Sequence, residues 1–345
     1  MPDLSTPSLK KSVRAGIVGF RGYSGAELIQ LLQRHSYLEP VLLEHRSDAA
    51  SSPQPIGHQG PLTLPMDIQA INDAGLAAAF LATPPEVSME LAPKLLDAGI
   101  KVVDLSGAFR LRTVDIFKTW YPEDHTAPQL LAEAAYGLPE FFRNTIKHAR
   151  LVANPGCYPT AANLALRPLV HAGAINLDAG IVCDAKSGVS GAGRKPSLKT
   201  SFCEVTENFS AYSLLKHRHV PEVLMNSLLE DSQFSFTAQL IPIDRGILET
   251  IYFRATSADF NPERLLRIYQ EAYANEPFVR LYKPGTVPDL KAVQRTNFCD
   301  IGFNQTADGR TLVVSAIDNL VKGAAGQALQ NMNLILGYPE IEGLL

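Results

Sequence analysis

Residues 154–160 (NPGCYPT) place one thiol, that of Cys157, where a helix is expected to begin. The preceding residues 151–153 (LVA) are typical of the end of a strand, and residues 161–170 have the apolar spacing of a helix. At a helix N-terminus, unpaired amide groups and the positive end of the helix dipole favour a thiolate over a thiol. The segment therefore predicts that Cys157 is an ionised nucleophile. The alternative is a buried cysteine that acts as a small hydrophobe.

Two histidines, His217 and His219, flank Arg218 in residues 216–222 (KHRHVPE). A neutral imidazole is a suitable general acid or base near pH 7. Because the two are spaced by two residues, we expect them to point to opposite sides of an extended segment, so that only one reaches the thiol. The alternatives are a solvated basic loop and a two-histidine metal site. No carboxylate or cysteine sits at ligand spacing beside them, so we expect no metal.

Three glycines, Gly19, Gly22 and Gly25, follow a predicted strand at residues 13–18 and precede a predicted helix at 26–34. A backbone without Cβ atoms can approach a pyrophosphate, and the helix N-terminus behind it supplies amide donors. The pattern predicts dinucleotide binding, although the spacing is GxxGxxG rather than GxGxxG. The alternative is a glycine-rich turn with no ligand.

The end of the second predicted strand, residues 43–47 (LEHRS), bears on the choice of dinucleotide. A carboxylate there would hold the ribose 2′-hydroxyl of NAD, whereas arginine and serine would hold the 2′-phosphate of NADP. We predict NADP, bound by Arg46 and Ser47, with Glu44 pointing into the fold. The alternative for Arg46 is a solvated loop charge.

Further cationic residues are candidates for binding an anion, either a cofactor phosphate or a phosphorylated substrate. A second glycine-rich loop, residues 187–196 (SGVSGAGRKP), ends in Arg194 and Lys195. Arg110 follows a predicted strand at residues 100–105 and so lies at the carboxyl edge of the sheet, where ligands bind. Arg245 is a weaker candidate of the same kind.

Composition limits the classes of protein that can carry these residues. The chain has 345 residues, 46% hydrophobic and 19% charged, which favours two domains. The net charge of −4 and the absence of a basic run indicate no nucleic-acid or anionic membrane partner. We expect a cytoplasmic protein, because residues 1–11 are polar and no run of about 18 apolar residues occurs. The four cysteines lie far apart, which predicts neither disulfides nor a zinc site.

The order of predicted elements indicates an α/β protein. Residues 1–155 alternate strand and helix, which predicts a Rossmann-type, doubly wound dinucleotide-binding domain. Residues 156–319 contain longer alternating stretches, such as 234–241 (FSFTAQLI), and predict an α+β catalytic and oligomerisation domain with a mixed or antiparallel sheet. A helix near residues 324–336 needs a partner for its apolar face, so we expect residues 320–345 to complete the first domain.

Seven segments together resemble the N-acetyl-gamma-glutamyl-phosphate reductase family of arginine biosynthesis, in order and over essentially the whole chain. They are residues 16–26 (GIVGFRGYSGA), 104–110 (DLSGAFR), 136–140 (YGLPE), 153–160 (ANPGCYPT), 187–194 (SGVSGAGR), 217–222 (HRHVPE) and 318–327 (DNLVKGAAGQ). One departure is that Phe20 and Arg21 occupy the first gap of the glycine turn, where the family usually has serine or threonine.

The resemblance implies an NADPH-dependent enzyme related to aspartate-semialdehyde dehydrogenase, a homodimer or homotetramer, that reduces the acyl phosphate N-acetyl-L-glutamyl 5-phosphate to its semialdehyde. It implies that Cys157 is the nucleophile and His217, rather than His219, the acid/base. The implied cofactor contacts are Gly19, Arg21, Gly22, Tyr23, Ser24, Gly25, Ser187, Gly188, Ser190, Gly191 and Asn319. The implied substrate or phosphate contacts are Arg110, Asn154, Arg194, Arg218, Glu222 and Arg245.

Three alternatives stay open from the sequence. The first is a phosphorylating semialdehyde dehydrogenase for another acyl chain, most plausibly the aspartate enzyme, which would differ in the pocket around Tyr212, Arg218 and Glu222. The second is a cofactor-free thiol hydrolase that uses Cys157 and His217. The third is a non-catalytic NADP-binding regulator in which the thiol is structural.

Overall fold

The computed structural model describes residues 13–45 and 60–345. Its strands are β1 (Val13–Val18), β2 (Leu38–Glu44), β3 (Leu62–Pro65), β4 (Leu76–Leu81), β5 (Lys101–Asp104), β6 (Ala135–Tyr136), β7 (Leu151–Ala153), β8 (Ile181–Gly188), β9 (Ser210–Tyr212), β10 (Phe234–Ile241), β11 (Ile247–Arg254), β12 (Val279–Leu281), β13 (Cys299–Gln305) and β14 (Arg310–Ile317).

Its helices are α1 (Tyr23–Leu32), α2 (Ile68–Asp73), α3 (Pro85–Asp97), α4 (Val114–Trp120), α5 (Gln129–Glu133), α6 (Pro139–His148), α7 (Cys157–His171), α8 (Phe202–Val205), α9 (Val220–Ser227), α10 (Pro262–Tyr273) and α11 (Gly326–Leu336). Short 3-10 turns occur between them, and a π-helix, Val321–Ala325, leads directly into α11.

The first sheet has the order β3-β2-β1-β4-β5-β7-β6, and all its strand pairs are parallel. Its central strand β4 (LAAAFL) is almost wholly buried, as expected for a parallel strand covered by helices on both faces. This sheet confirms the predicted doubly wound architecture. The carboxyl ends of β1, β4, β5 and β7 lie along one edge, where ligands of such sheets bind.

The second sheet has the order β12-β13-β14-β11-β8-β10-β9. Its β8–β10 and β12–β13 pairs are parallel and the others are antiparallel, so the sheet is mixed. The helices α7 and α10 cover one face, and their apolar residues share a single core with the alternate buried positions of β8, β10 and β11. The α/β class with a second, mixed sheet is therefore confirmed.

Two helix starts differ from the predictions. The helix α1 begins at Tyr23 rather than Ala26 because Gly22, in extended conformation, serves as its N-cap. Tyr23, Ser24 and Gly25 are thus helical rather than part of the turn. The helix α7 begins at Cys157 itself, with Gly156 as N-cap, so the thiol is carried by the first helical residue.

The C-terminal helix α11 packs against the first sheet. Its residues Ala328, Leu329 and Met332 share a core cluster with residues of β1, β4 and α1. Within residues 13–45 and 60–345, no helix combines the length and the apolar character needed to span a bilayer.

Candidate active site

Cys157 opens into a cavity of about 430 Å³ whose walls are formed by residues from the range 157–240. Its side chain is partly exposed, and all four cysteines of the chain are free thiols. The cavity also exposes groups from several distant segments. They are Tyr158, Ser187, Gly191, Ala192, Ser197, Lys199, Thr200, Tyr212, Ser213, Lys216, His217, Arg218, His219 and Leu240. The fold therefore brings the predicted nucleophile and both predicted imidazoles to one site.

The prediction that Cys157 rests as a thiolate was wrong. Burial raises the pKa of the Cys157 thiol to about 11, and the Glu249 carboxyl adds to this rise. The Tyr158 N–H and the Arg110 guanidinium act in the opposite direction but are outweighed. At neutral pH the resting group is a thiol, so nucleophilic attack must be coupled to loss of its proton.

The prediction that His217 and His219 point to opposite sides was also wrong. Their ring centroids are 4.7 Å apart, and both rings contact Tyr158 edge-on. The segment before them is not extended, because Ser213 and Leu215 have positive φ values of 48° and 56° and turn the chain sharply. Both imidazoles therefore face the cavity.

The two imidazoles are neutral at pH 7. Burial lowers the pKa of His217 to about 4, and it lowers that of His219 well below the usual value. The Nδ1 of His217 accepts the backbone N–H of His219 at 3.2 Å, so the neutral ring carries its proton on Nε2. In this tautomer the Nε2–H of His217 can donate a hydrogen bond to a nearby oxygen.

Glu222 is the centre of a buried network beside the thiol. Its Oε2 accepts the N–H of Gly156 at 2.9 Å and the hydroxyl of Tyr136 at 2.9 Å. Its Oε1 accepts from Arg110 at 3.2 Å. The side chain has no exposed surface, so its contacts in this structure are with the protein. The carboxylate holds the residue before Cys157 in place, whereas substrate contact by Glu222 stays a prediction.

Arg110 and Asn154, predicted to contact substrate, make extensive bonds within the fold. The Arg110 guanidinium donates to Asn154 O and Leu105 O, and contacts His219 Nε2 at 3.4 Å. The Asn154 amide donates to Ala324 O at 3.2 Å, and its oxygen accepts from Asn331 at 3.0 Å. Both residues thus hold the loop that presents the thiol, and a direct contact with substrate stays a prediction.

Arg245 lies between the two sheets rather than on an open surface. Its guanidinium pairs with Glu27 of α1 at 2.9 Å and with Asp318 at 3.3 Å. These contacts connect the second sheet to the first glycine-turn helix. Phosphate binding by Arg245 stays a prediction and would compete with two carboxylates.

The second glycine-rich loop joins the thiol cavity to the first glycine turn. Ser187 and Gly191 line the cavity, and Asn319 donates to Ser190 Oγ at 3.0 Å while its oxygen accepts Gly246 N–H at 2.7 Å. Gly188 is required by packing, since a Cβ there would lie 2.6 Å from Asp244 O.

Arg194 connects this loop to the first glycine turn. Its guanidinium donates to Arg21 O at 2.6 Å. This exposed side chain therefore lies between the second glycine-rich loop and the first glycine turn.

The first glycine turn has the shape that a dinucleotide needs. Gly19 has φ +80°, and a Cβ there would lie 2.2 Å from Ala82 O, so no other residue fits. A Cβ at Gly25 would lie 2.5 Å from Gly19 O, so the turn packs directly on α1. The N-cap Gly22 offers no side-chain bond to the helix amides, which are left to a ligand. The residues present therefore fit a dinucleotide pyrophosphate.

A second cavity lies beside this turn, at the carboxyl ends of β1, β2 and β4. It is lined by Val18, Gly19, Phe20, Arg21, Leu43, His45, Ala82, Thr83, Pro84 and Val87. Its mostly apolar walls suit the adenosine half of a dinucleotide.

The prediction that Glu44 points into the fold was wrong. Glu44 is exposed and accepts from Arg21 at 2.5 Å, while the Arg21 guanidinium also lies 4.5 Å from the centre of the Phe20 ring. The predicted ligands Arg46 and Ser47 lie outside the described residues, so their role stays a prediction. Arg21 thus lines this cavity and brings a positive charge to it beside Glu44.

Sequence reasoning missed some of the residues that line the thiol cavity. Lys199 contributes a cationic side chain, although it belongs to none of the predicted motifs. Lys216 contributes another, although no role was predicted for it within the histidine segment. Together with Arg218, which was predicted to contact substrate or phosphate, they give the cavity three cations that could bind a phosphate. Tyr158 and Tyr212 form part of the wall and contact each other through their hydroxyls at 3.1 Å.

The described residues contain no cluster of three or more His, Cys, Asp or Glu side chains that could hold a metal.

The first domain has a parallel sheet of the dinucleotide-binding type. A helix with a thiol at its N-terminus joins this sheet to the second domain, which has a mixed sheet and supplies the two imidazoles. Together these features define an enzyme of the semialdehyde dehydrogenase class. Family models agree: residues 14–149 match "Semialdehyde dehydrogenase, NAD binding domain" and residues 157–319 match "Semialdehyde dehydrogenase, dimerisation domain". Within this class, the chain belongs to the N-acetyl-gamma-glutamyl-phosphate reductase family, as its sequence relatives show.

Curated relatives of that name match almost end to end. The protein from Symbiobacterium thermophilum is 45% identical over 97% of this chain and 98% of its own, and the one from Desulforudis audaxviator is 46% identical over 96% and 98%. The family resemblance inferred from the seven motifs is therefore confirmed.

Solved structures share the fold at low identity. Aspartate semialdehyde dehydrogenase II from Vibrio cholerae, complexed with ASA, aligns with a TM-score of 0.69 at 16% identity, over 95% of this chain and 99% of that one. The Candida albicans aspartate semialdehyde dehydrogenase with NADP aligns with a TM-score of 0.67 at 15% identity, over 95% and 99%.

Proposed function

We propose that this protein catalyses the NADPH-dependent reduction of N-acetyl-L-glutamyl 5-phosphate to N-acetyl-L-glutamate 5-semialdehyde and phosphate, a step of arginine biosynthesis. The observation that carries the proposal is the meeting of Cys157, His217 and the cation Arg218 in one cavity of a chain from the family so named. The thiol, the proton donor and the phosphate-binding charge that an acyl-phosphate reductase needs are then within one site.

The first half of the reaction transfers the acyl group to the enzyme. Cys157 Sγ attacks the acyl carbon, its S–H bond breaks, and the carbon–oxygen bond to phosphate breaks, so that a thioester and hydrogen phosphate result. Lys199, Lys216 and Arg218 stabilise the charge of the departing phosphate, because they are the cations that the cavity exposes. The thioester carbonyl is far more electrophilic than a carboxylate.

The second half releases the aldehyde. The first glycine turn and the second glycine-rich loop would hold NADPH, which when bound would supply the hydride for the thioester carbon. The Nε2–H of His217 donates a hydrogen bond to the developing oxygen anion; when this anion collapses to the aldehyde, the carbon–sulfur bond breaks with its electron pair going to sulfur, and a proton from solvent restores the thiol. His219 supports this group, since its backbone N–H fixes the tautomer of the His217 ring.

The assembly and location follow from the same family. We propose a homodimer or homotetramer formed through the second sheet, supported by the dimerisation-domain match over residues 157–319. We propose a cytoplasmic location, supported by four free thiols of which Cys203 is exposed, a state typical of a reducing compartment.

The test is reduction of NADP by N-acetylglutamate 5-semialdehyde, with and without inorganic phosphate, beside aspartate semialdehyde as the rival substrate. We expect NADPH to form only with the acetylglutamate substrate and phosphate together. Cys157→Ser should bind NADPH but lose turnover, and intact-mass analysis should show an acyl adduct only on the wild type. Preference for the aspartate substrate, or turnover in Cys157→Ser, would overturn the proposal, and a cofactor-free hydrolase would leave NADPH fluorescence unchanged.

A further inference from the structure

A buried ion pair lies behind the thiol, in two segments to which the mechanism gives no role. The Nζ of Lys322 lies 2.6 Å from Glu140 Oε1, and neither side chain has any exposed surface. Lys322 also donates to Gln330 Oε1 at 2.8 Å and lies 5.6 Å from the centre of the Phe278 ring. Because burying two charges costs free energy, such a pair is a weak source of stability and invites a different explanation.

Lys322 belongs to the π-helix Val321–Ala325, which is defined by two wide backbone bonds. Gly323 N–H donates to Asp318 O at 2.9 Å, and Ala325 N–H donates to Leu320 O at 2.8 Å. A single π turn is less favourable than a regular α-helix and is often found at functional sites. Something must therefore hold the chain in this register, and Lys322 is its only charged side chain.

The same π-helix supports the nucleophile. A Cβ on Gly323 would lie 2.8 Å from the Cβ of Cys157 and 3.3 Å from its Cα, so the backbone of residue 323 packs directly on Cys157. One residue further on, Ala324 O accepts from Asn154, at the start of the loop that carries the thiol. Return to a regular helical register would move both contacts.

We propose that Lys322 is a positioning residue for the reaction: by binding Glu140 at the start of α6, it holds the π-helix against Cys157 and so fixes the direction of the thiol. This inference rests on the proposed function for its kinetic consequence but not for its structural one. The ion pair joins α6 to the π-helix, and the π-helix in turn sets the position of the reacting sulfur.

The first test replaces the pair without leaving a buried charge, in Lys322→Met/Glu140→Gln. We expect NADPH affinity and both KM values within about twofold of wild type, and kcat reduced about tenfold to 10²-fold, the range expected for a misplaced nucleophile. The rate of Cys157 alkylation by iodoacetamide, read by peptide mass spectrometry, should change at least threefold. The exposed Cys203 in the same sample serves as the internal standard.

The matched control is Arg280→Gln/Asp300→Asn, which removes an ion pair between β12 and β13 whose carboxylate is also fully buried. It should lower the melting temperature while leaving the alkylation rate of Cys157 and kcat near wild type. If Lys322→Met/Glu140→Gln behaves like this control, with lower stability alone, the pair is merely structural and the inference fails.

A second variant, Gly323→Ala, keeps the inference testable if the first does not fold. The added methyl presses on Cys157, so kcat and Cys157 alkylation should change while NADPH still binds. The control is Gly302→Ala in β13, where the added Cβ would lie 2.4 Å from Thr286 O rather than against the thiol. It should change neither kcat nor the alkylation of Cys157. Wild-type alkylation in Gly323→Ala would overturn the inference. Altered alkylation in an enzyme whose wild type does not reduce the acyl phosphate would instead refute the proposed function.

Discussion

Gly156 and His219 are in direct contact: a Cβ on residue 156 would lie 2.7 Å from Nε2 of the imidazole. The residue that precedes the nucleophile is thus packed against the second histidine of the HRHVPE segment, residues 217–222. The backbone of Gly156, with φ −64° and ψ 153°, is open to any residue, so the requirement for glycine comes from the imidazole alone.

The first prediction concerns this contact. In Gly156→Ala the methyl must displace either the His219 ring or the loop that carries Cys157, and a displacement of about 1 Å can cost about 10²-fold in rate. We expect kcat to fall by about that factor with NADPH binding retained, as measured by steady-state kinetics and fluorescence titration. A wild-type kcat would show that the two groups move apart without cost.

The second prediction assigns the acid/base. His217→Asn should lower kcat by about 10²-fold or more, because it removes the Nε2 proton donor. His219→Asn keeps the backbone N–H that fixes the His217 tautomer, so its loss should be smaller. The two pH–rate profiles decide the assignment: activity should fall with an acid limb near pH 4, where His217 becomes protonated, and if His217→Asn keeps this limb the role passes to His219 or to neither residue.

The third prediction follows from the raised pKa of Cys157. With a pKa of about 11, the thiolate fraction of the resting enzyme grows about tenfold for each pH unit between 7 and 10. The iodoacetamide alkylation rate of Cys157 should therefore rise across that range without a plateau, when read by peptide mass spectrometry. A plateau below pH 8 would mean that the helix N-terminus holds a thiolate after all.

The fourth prediction separates charge from hydrogen bonding in the Glu222 network. Glu222→Gln leaves the buried Arg110 without its counter-ion, and breaking a buried pair in this way costs about 3–5 kcal/mol of unfolding free energy. Tyr136→Phe removes one hydrogen bond from the same carboxylate and should cost less, about 1.5–3 kcal/mol. Urea unfolding of both variants measures the difference, and equal losses would contradict an ionised Glu222.

Several strands and the nucleophile could be predicted from the sequence because their signals are local. The apolar run 76–82 (LAAAFLA) is typical of a strand that is buried on both faces of a sheet, and β4 occupies Leu76–Leu81 of this run. The thiol at a strand-to-helix junction needs only its neighbours to be recognised, and α7 does begin at Cys157.

The parts that could not be predicted depend on residues distant in sequence. The pKa of Cys157 is set by burial under a second sheet, which no feature of residues 154–160 reveals. Arg110 meets Glu222 across 112 positions, so its buried bonds were invisible in the segment 104–110. The relative orientation of the two histidines depends on the left-handed conformations of Ser213 and Leu215, which are not glycines, so their positive φ could not be expected from residue type.

The last prediction is that Arg21, whose guanidinium is held by Glu44 at the cavity beside the first glycine turn, selects the phosphorylated cofactor. In Arg21→Ala the exposed Glu44 is left unpaired beside a 2′-phosphate. A charge-assisted bond of about 1.5–3 kcal/mol is lost, so kcat/KM for NADPH should fall about 10- to 100-fold. The kcat/KM for NADH should fall much less, because NADH has no phosphate there.

Arg21→Ala/Glu44→Gln removes the repulsion between Glu44 and the phosphate and should recover part of the NADPH activity. The control Arg34→Ala removes a cation beyond the end of α1 and should leave kcat/KM for both cofactors unchanged. Equal losses for the two cofactors in Arg21→Ala would assign the selectivity to the segment around Arg46 and Ser47 instead.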